Sequence, residues 1–176
     1  SDGKTTTTTI IASLLKAAGH NTYLGGNIGK PLLADVYGME PQDWAVLELS
    51  SFQLMTMDLS PEIAVVTNLA PNHLDVHKSM IEYVAAKENI FIHQNDDEKA
   101  VFNRDNAITH GFAETAPGRV MEFSRREELE RGVYLKDGAI WVANEVRARP
   151  VLPLKDILLP GGHNVENYMA AIAAVD

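Results

Sequence analysis

Apolar and polar positions follow two different periods along the first two-thirds of the chain. Nearly continuous apolar runs at 44–49 and 63–68 are typical of strands that are buried on both faces. Segments whose apolar residues recur with a helical period lie before, between and after these runs. This alternation predicts an α/β fold in which a mostly parallel sheet is covered by helices, with 44–49 and 63–68 fully buried.

Turn and capping signals divide the chain into individual elements. Gly19 ends the first predicted helix, Ser79 and Glu82 form a capping box, and Asp137-Gly138 is the signature of a tight hairpin. Strands are predicted at 21–24, 44–49, 63–68, 100–103 and 119–123, and helices at 5–18, 31–37, 79–92, 105–112 and 164–174. A small antiparallel region is expected near 133–159.

Composition excludes several classes of protein. The 176 residues fit one domain, and 45% hydrophobic with 22% charged residues is the globular average. With no cysteine, disulfide scaffolds and thiolate metal sites are excluded. No apolar stretch approaches the length of a membrane span. The net charge of -9 argues against a nucleic-acid partner, so an anionic ligand must be bound by local groups.

The first residues carry the end of a phosphate-binding motif. Gly3-Lys4-Thr5 leads directly into a helix. In such motifs the glycine admits phosphate oxygens, free N–H groups of the helix point at them, the lysine contacts the terminal phosphates, and the hydroxyl ligates Mg²⁺. The alternative interpretation is a solvated helix start.

Two further segments place metal-ligand chemistry after strands. Glu48 lies at the end of the run 44–49, where ligands of open parallel sheets bind, and could hold the Mg²⁺ of a nucleotide. The alternative is a solvent-facing glutamate. After the run 63–68, His73, Asp75 and His77 could bind a metal, or they could be surface polar residues.

Lys87 lies in the middle of the apolar arc of the helix 79–92. A lysine there can extend its charge past the apolar stripe to solvent. The alternative is a partnered or modified lysine, whose burial lowers the pKa and leaves a reactive amine. At the start of the last helix, Asn164 and Asn167 share a face. Their amides suit a purine edge, although Asn164 could simply cap the helix.

These motifs, in their order along the chain, resemble the central ATP-binding domain of the Mur ligase family. The strings are GKTT, GGNIG, LELSSFQL, TNLAPNHLDVH and GGHNVEN, and the resemblance covers essentially the whole chain. It implies a fold like that of phosphate-loop NTPases. The strings at 25–32 and 47–54 are most similar to the branch that adds D-glutamate. Another Mur ligase, or a folylpolyglutamate synthase-like enzyme, is the alternative.

The resemblance implies a role for each matching residue. ATP would be held by Gly3, Lys4, Thr5 and Thr6 at its phosphates and by Asn164 and Asn167 near its adenine. Asn27 and Ser50 would face the phosphate and the acceptor substrate. Two Mg²⁺ sites are implied, the first held by Thr5 and Glu48 and the second by His73 and a carbamylated Lys87. The catalytic residues implied are Lys4, His73 and Lys87. Family members often carry Asp where this chain has Asn72.

The implied reaction is ATP-dependent amide ligation in peptidoglycan precursor synthesis, in the bacterial cytoplasm. D-glutamate would be added to UDP-N-acetylmuramoyl-L-alanine through an acyl phosphate. Complete family members have a UDP-binding domain before and an amino-acid-binding domain after this segment. We therefore expect 1–176 to be the ATP-binding module, truncated at the phosphate loop and inactive alone, or a binding-only fragment. We also expect disorder or a non-phosphate-binding conformation at 1–3, and weak ATP binding. An incomplete sheet edge would lead to lowered stability, self-association or a rearranged edge.

Overall fold

A computed structural model describes residues 3–29, 31–70 and 80–176. The described residues form five α-helices and eight β-strands. The helices are α1 (Lys4–Ala17), α2 (Ser51–Leu54), α3 (Met80–Glu88), α4 (Ala107–Phe112) and α5 (Gly162–Val175). The strands are β1 (Thr22–Gly26), β2 (Trp44–Glu48), β3 (Ile63–Val66), β4 (Lys99–Asn103), β5 (Arg119–Ser124), β6 (Gly132–Lys136), β7 (Ala139–Asn144) and β8 (Arg147–Pro153).

The strands form two sheets. Six of them pair in the order β3-β4-β5-β6-β7-β8, parallel from β3 to β6 and antiparallel from β6 to β8. Strands β1 and β2 form a separate parallel pair. The turn between β6 and β7 is made by Asp137 and Gly138, both with positive φ, as a tight primed turn requires. The predicted α/β class, with its antiparallel region near 133–159, is confirmed.

The main core lies where α1 and α5 pack together against strands of both sheets. The alanines Ala170, Ala171 and Ala174 of α5 are buried against Ile10 and Ile11 of α1, and small side chains let two helices approach closely. At the far end of α5, the Lys99 ammonium donates to the carbonyls of Ala173 (3.3 Å) and Ala174 (3.1 Å). These bonds satisfy carbonyls that a helix end leaves without partners.

Strand β2 is not fully buried, contrary to the sequence-based prediction. The N–H of Trp44 donates to Asn21 (2.9 Å) and the carbonyl of Glu48 accepts from Asn27 (2.7 Å). In a parallel ladder this means that the even-numbered residues of β2 bond to β1, while the backbone of Ala45 and Leu47 faces away. Leu47 is 45% exposed. Full burial was therefore wrong, because β2 is an edge strand of a two-stranded sheet.

Strand β3 is the edge of the other sheet and faces the same space. Lys99 donates its N–H to the carbonyl of Glu62 (2.8 Å), so Ile63 and Val65 direct their backbone groups away from β4. Both of these side chains are only half-buried. A cavity of about 580 Å³ separates β2 from β3 and is lined by both strands. Among the described residues no strand lies between the two edges.

Two predicted helices differ from the observed structure. The segment 31–37 is not an α-helix but two single 3₁₀ turns, Leu32–Ala34 and Val36–Gly38. Leu33 and Tyr37 are exposed, so no apolar face is buried to offset the cost of starting a longer helix. The helix predicted at 79–92 is observed as α3, which ends at Glu88. Its predicted capping residue, Ser79, lies outside the described residues.

No described helix is both long and apolar enough to cross a lipid bilayer.

Candidate functional site

The start of α1 is open to an anion. Gly3 precedes the helix with a φ of 80°, a conformation that favours glycine. It provides no side-chain cap, and the first turn of α1 carries no acidic residue. The first N–H groups and the positive end of the helix dipole lie beside Lys4, an arrangement that suits an anion.

The run of five threonines fits a helix because the hydroxyls of Thr5, Thr7, Thr8 and Thr9 have partners. Thr8 donates to the carbonyl of Lys4 (2.9 Å) and Thr9 to that of Thr5 (2.7 Å), one turn back along α1. Thr5, in contrast, directs its hydroxyl out of the helix towards β2. The hydrogen bonds of these hydroxyls therefore offset part of the low helix propensity of threonine.

Glu48 is the carboxylate around which the site is built. Its side chain is only 4% exposed, at the carboxyl end of β2. Thr5 donates its hydroxyl to Oε2 at 2.6 Å, and Asn27 donates its amide to Oε1 at 3.3 Å. The ends of β1 and β2 are thereby joined to the first turn of α1. A hydroxyl and a carboxylate oxygen side by side are the hard donors that suit Mg²⁺.

Lys87 is buried beside this carboxylate. Its side chain is 6% exposed, its ammonium lies 5.8 Å from the centroid of the Tyr83 ring, and it lines the same cavity as Lys4 and Glu48. The pKa of Lys87 is lowered to about 8, chiefly by burial and also by the charge of Lys4, while Glu48 acts in the opposite direction. With this pKa a minor fraction of the amine is neutral near physiological pH, far more than for an ordinary lysine.

Asn27 and Ser50 both bond to neighbouring groups of the protein. Asn27 is held by the backbone and carboxylate of Glu48. Ser50 caps α2: its hydroxyl oxygen accepts from the N–H of Gln53 (3.3 Å), and its own N–H donates to the Gln53 side chain (2.8 Å). The capping-box spacing Ser50-x-x-Gln53 is visible in the sequence and could have predicted α2.

The two asparagines of α5 differ in exposure and in their partners. Asn164 is half-buried and donates to the carbonyl of Pro160 (2.7 Å). Asn167 is 4% exposed; its amide donates to the Asn164 oxygen (3.2 Å), and its oxygen accepts from the Thr7 hydroxyl (3.3 Å). Thr7 was not singled out from the sequence. Its position four residues before Ile11, on the apolar face of α1, is the signal that could have found it.

Some predicted site residues lie outside the described residues. These are His73, with Asn72 and the other residues of 71–79, and also Ser1 and Asp2. The prediction for 1–3 can therefore be compared with the structure only at Gly3, which has a defined left-handed conformation. Thr6 is described and half-buried. Within the described ranges, no group of three or more histidine or acidic side chains is arranged to hold a metal ion.

Solved structures with the same fold cover nearly the whole chain. A UDP-N-acetylmuramoylalanyl-D-glutamyl-2,6-diaminopimelate--D-alanyl-D-alanyl ligase from Acinetobacter baumannii matches with a TM-score of 0.72 at 17% identity, over 99% of this chain and 40% of that one. MurF ligase from Thermotoga maritima, solved in complex with ADP, matches with a TM-score of 0.65 at 19% identity, over 98% of this chain and 42% of that one.

Sequence relatives are much more similar. UDP-N-acetylmuramoylalanine--D-glutamate ligases from Clostridium beijerinckii and Acetivibrio thermocellus are 53% and 54% identical, over 99% of this chain in each case. The chain spans 37% and 38% of their lengths. The model of the Mur ligase middle domain matches residues 1–175. With that match over almost its entire length, this chain belongs to the Mur ligase middle-domain family.

Proposed function

We propose that this chain is the ATP- and Mg²⁺-binding module of a ligase that adds D-glutamate to UDP-N-acetylmuramoyl-L-alanine. Its relatives that carry the D-glutamate ligase name support the substrates. The observation that carries the proposal is the 2.6 Å hydrogen bond from Thr5 to Glu48, made beside Lys4 at an open helix start. A hydroxyl, a buried carboxylate and a lysine gathered there suit a metal-bound polyphosphate.

The reaction proceeds in two displacements. The L-alanyl carboxylate attacks the γ-phosphorus of ATP, forming an acyl phosphate as the bond to ADP breaks. The amine of D-glutamate then attacks the acyl carbon, the amide forms, phosphate leaves, and the amine gives up a proton. Lys4 and the N–H groups of α1 would bind the transferred phosphoryl group and offset its charge. Most of the catalysis is positioning and charge neutralisation.

Thr5 and Glu48 would hold the nucleotide's Mg²⁺, and their oxygen donors fit it. When bound, this ion neutralises phosphate charge and orients the phosphates for in-line transfer. The side-chain amide of Asn27 donates a hydrogen bond to the Glu48 carboxylate and so keeps it turned towards Thr5. The chain itself therefore supplies an oriented carboxylate before any ligand arrives.

Lys87 would act as a carbamate. Its amine, which burial makes easier to deprotonate, can attack CO₂ in its neutral form, forming a C–N bond and releasing a proton. The product is an anionic oxygen ligand in place of an ammonium. With His73 it would hold a second Mg²⁺, since carboxylate-like oxygen is the donor that this ion prefers. Conversion to an anion also removes the repulsion between Lys87 and Lys4.

Loss of the Glu48 charge tests the nucleotide site. Glu48→Gln keeps the shape but removes a charged acceptor, so we expect Mg·ATP affinity to fall roughly ten-fold or more, as for loss of a charged hydrogen bond. The benefit of adding Mg²⁺ to ATP should largely disappear. Isothermal titration of ATP with and without Mg²⁺ measures both effects.

The matched control is Glu114→Gln, because Glu114 is exposed at the end of α4. It should bind Mg·ATP as the unaltered chain does. Equal affinity in Glu48→Gln and the unaltered chain would refute the site. The substrate is tested separately, by assaying the natural protein that carries this segment for phosphate release with D-glutamate against L-glutamate, L-lysine and diaminopimelate.

Carbamylation predicts a pH-dependent signal from Lys87. In ¹³C-bicarbonate, NMR should show a carbamate carbon that is lost in Lys87→Arg and kept in Lys16→Arg, since Lys16 is exposed on α1. Because the pKa of Lys87 is lowered to about 8, the signal should grow as pH rises through 7 to 8. It should fade below that range, where the amine is protonated. A carbamate signal that survives in Lys87→Arg would contradict the assignment.

The open edges of β2 and β3 predict self-association of the 176-residue chain. Edge strands with free backbone groups pair with other chains, and a charge on the edge opposes this. We expect the sedimentation coefficient to rise with concentration, and Leu47→Lys to reduce the rise. Leu33→Lys, at an exposed leucine on a 3₁₀ turn, is the control and should change nothing. A monomer at every concentration, with a cooperative melt, would show that the edges are harmless.

A further inference from the structure

The buried amide of Asn167 lies next to Gly3, at the end of the phosphate-binding motif. Gly3 sits so close to this side chain that a β-carbon added to the glycine would overlap the Asn167 amide oxygen. The same oxygen accepts the Thr7 hydroxyl from the next turn of α1. Gly3 and Thr7 are themselves joined, because the N–H of Thr7 donates to the Gly3 carbonyl (2.8 Å). One amide of α5 thus contacts both ends of the first turn of α1.

Little of this amide remains for a ligand. Asn167 is 4% exposed, and both its oxygen and its nitrogen have partners within the protein. Asn164, one turn earlier, is half-buried and is the more accessible of the two asparagines. A purine edge needs donors and acceptors that it can reach. The geometry therefore separates the two asparagines, although the sequence places them together.

The Thr7–Asn167 hydrogen bond also lies at one end of the apolar interface between α1 and α5. Further along that interface the core is apolar, with Ile10, Ile11 and Ala170 in one cluster. Aliphatic contacts tolerate sliding of one helix along the other, whereas a buried polar pair loses its partner if the helices shift. The position of Gly3 and Lys4 relative to α5 is therefore fixed by this pair.

We propose that Asn167 is a positioning residue for the phosphate loop, acting through Gly3 and Thr7, and does not read the nucleotide base. This inference rests on the proposed function, since it assigns the residue a part in phosphate binding. A positioning residue and a base-contacting residue differ in one measurable way. Loss of a positioning residue should weaken the binding of a nucleotide and of a polyphosphate without a base equally, whereas loss of a base contact should weaken only the nucleotide.

The test compares Mg·ATP with Mg·tripolyphosphate, titrated calorimetrically into the chain and its variants well below their melting temperatures. Thr7→Val removes the hydroxyl donor but keeps the shape, and Asn167→Ala removes the acceptor. We expect each variant to weaken both ligands by the same factor, about three- to ten-fold, as for the loss of one buried hydrogen bond. Thr7→Ser should restore binding. The double variant should bind each ligand about as tightly as the single variant with the lower affinity, because both substitutions remove the same interaction.

Thr9→Val is the matched control, since Thr9 is exposed on the same helix and its hydroxyl donates to the Thr5 carbonyl of that helix, not to α5. It should leave both affinities unchanged. If Asn167→Ala weakens Mg·ATP but not Mg·tripolyphosphate, the residue reads the base and the inference is wrong. If Thr7→Val lowers only the melting temperature and neither affinity, the pair is merely structural and the inference is equally wrong.

A measurement without ligand separates this inference from the proposed function. Amide hydrogen exchange should be faster at residues 7 and 8, the first N–H groups of α1 with partners in the helix, in Thr7→Val than in the unaltered chain, with little change at the far end of α1. If the unaltered chain binds neither polyphosphate, the proposed function fails. Faster exchange at the start of α1 would still support the positioning role, and unchanged exchange there would overturn it.

Discussion

The hydrogen bond from Thr5 to Glu48 is the contact on which the site depends. A carboxylate that is 4% exposed is tolerated only when donors surround it, because an unpaired buried charge costs several kcal/mol. Thr5 and Asn27 are those donors, and they come from α1 and from the end of β1. The requirement to satisfy one carboxylate thereby brings three elements of the chain to a single point.

The electrostatics of the site run against those of the whole chain. The net charge of -9 repels anions, yet the start of α1, Lys4 and Lys87 concentrate positive potential around one cavity. Burial, and then the charge of Lys4, lowers the pKa of Lys87. A polyphosphate bound at this point would meet backbone dipoles as well as side chains, and a cation would reduce the ligand's charge.

Much of the fold could be predicted from the sequence because strands and hairpins show local signals, namely the periodicity of apolar residues and the residues that make turns. The buried runs at β2, β3 and β4 and the Asp137-Gly138 turn were of this kind. Burial at the edges of β2 and β3 was not, because it depends on which strands lie alongside. The segment 31–37 has helix-forming residues, but whether it forms a helix depends on a packing surface that no local pattern reveals.

The candidate site shows the same division. Glu48 and Lys87 stand out locally, as a charge in an apolar strand and a charge in an apolar helical arc. The partnership of Thr7 with Asn167 spans 160 positions of sequence, and each residue alone has an ordinary explanation. Only the packing of α1 on α5 makes it visible. The polar residues most informative about this site are thus the ones whose partners are distant.

The most direct measurement of the central claim is a crystal structure of the chain grown with ADP and Mn²⁺, with anomalous diffraction locating the metal. The account predicts an anomalous peak at about 2.2 Å from the Thr5 hydroxyl, close to the Glu48 carboxylate and in contact with a phosphate oxygen of ADP. Nucleotide density at the start of α1 with the metal peak elsewhere would contradict it, and so would ADP bound away from Lys4 and Thr5.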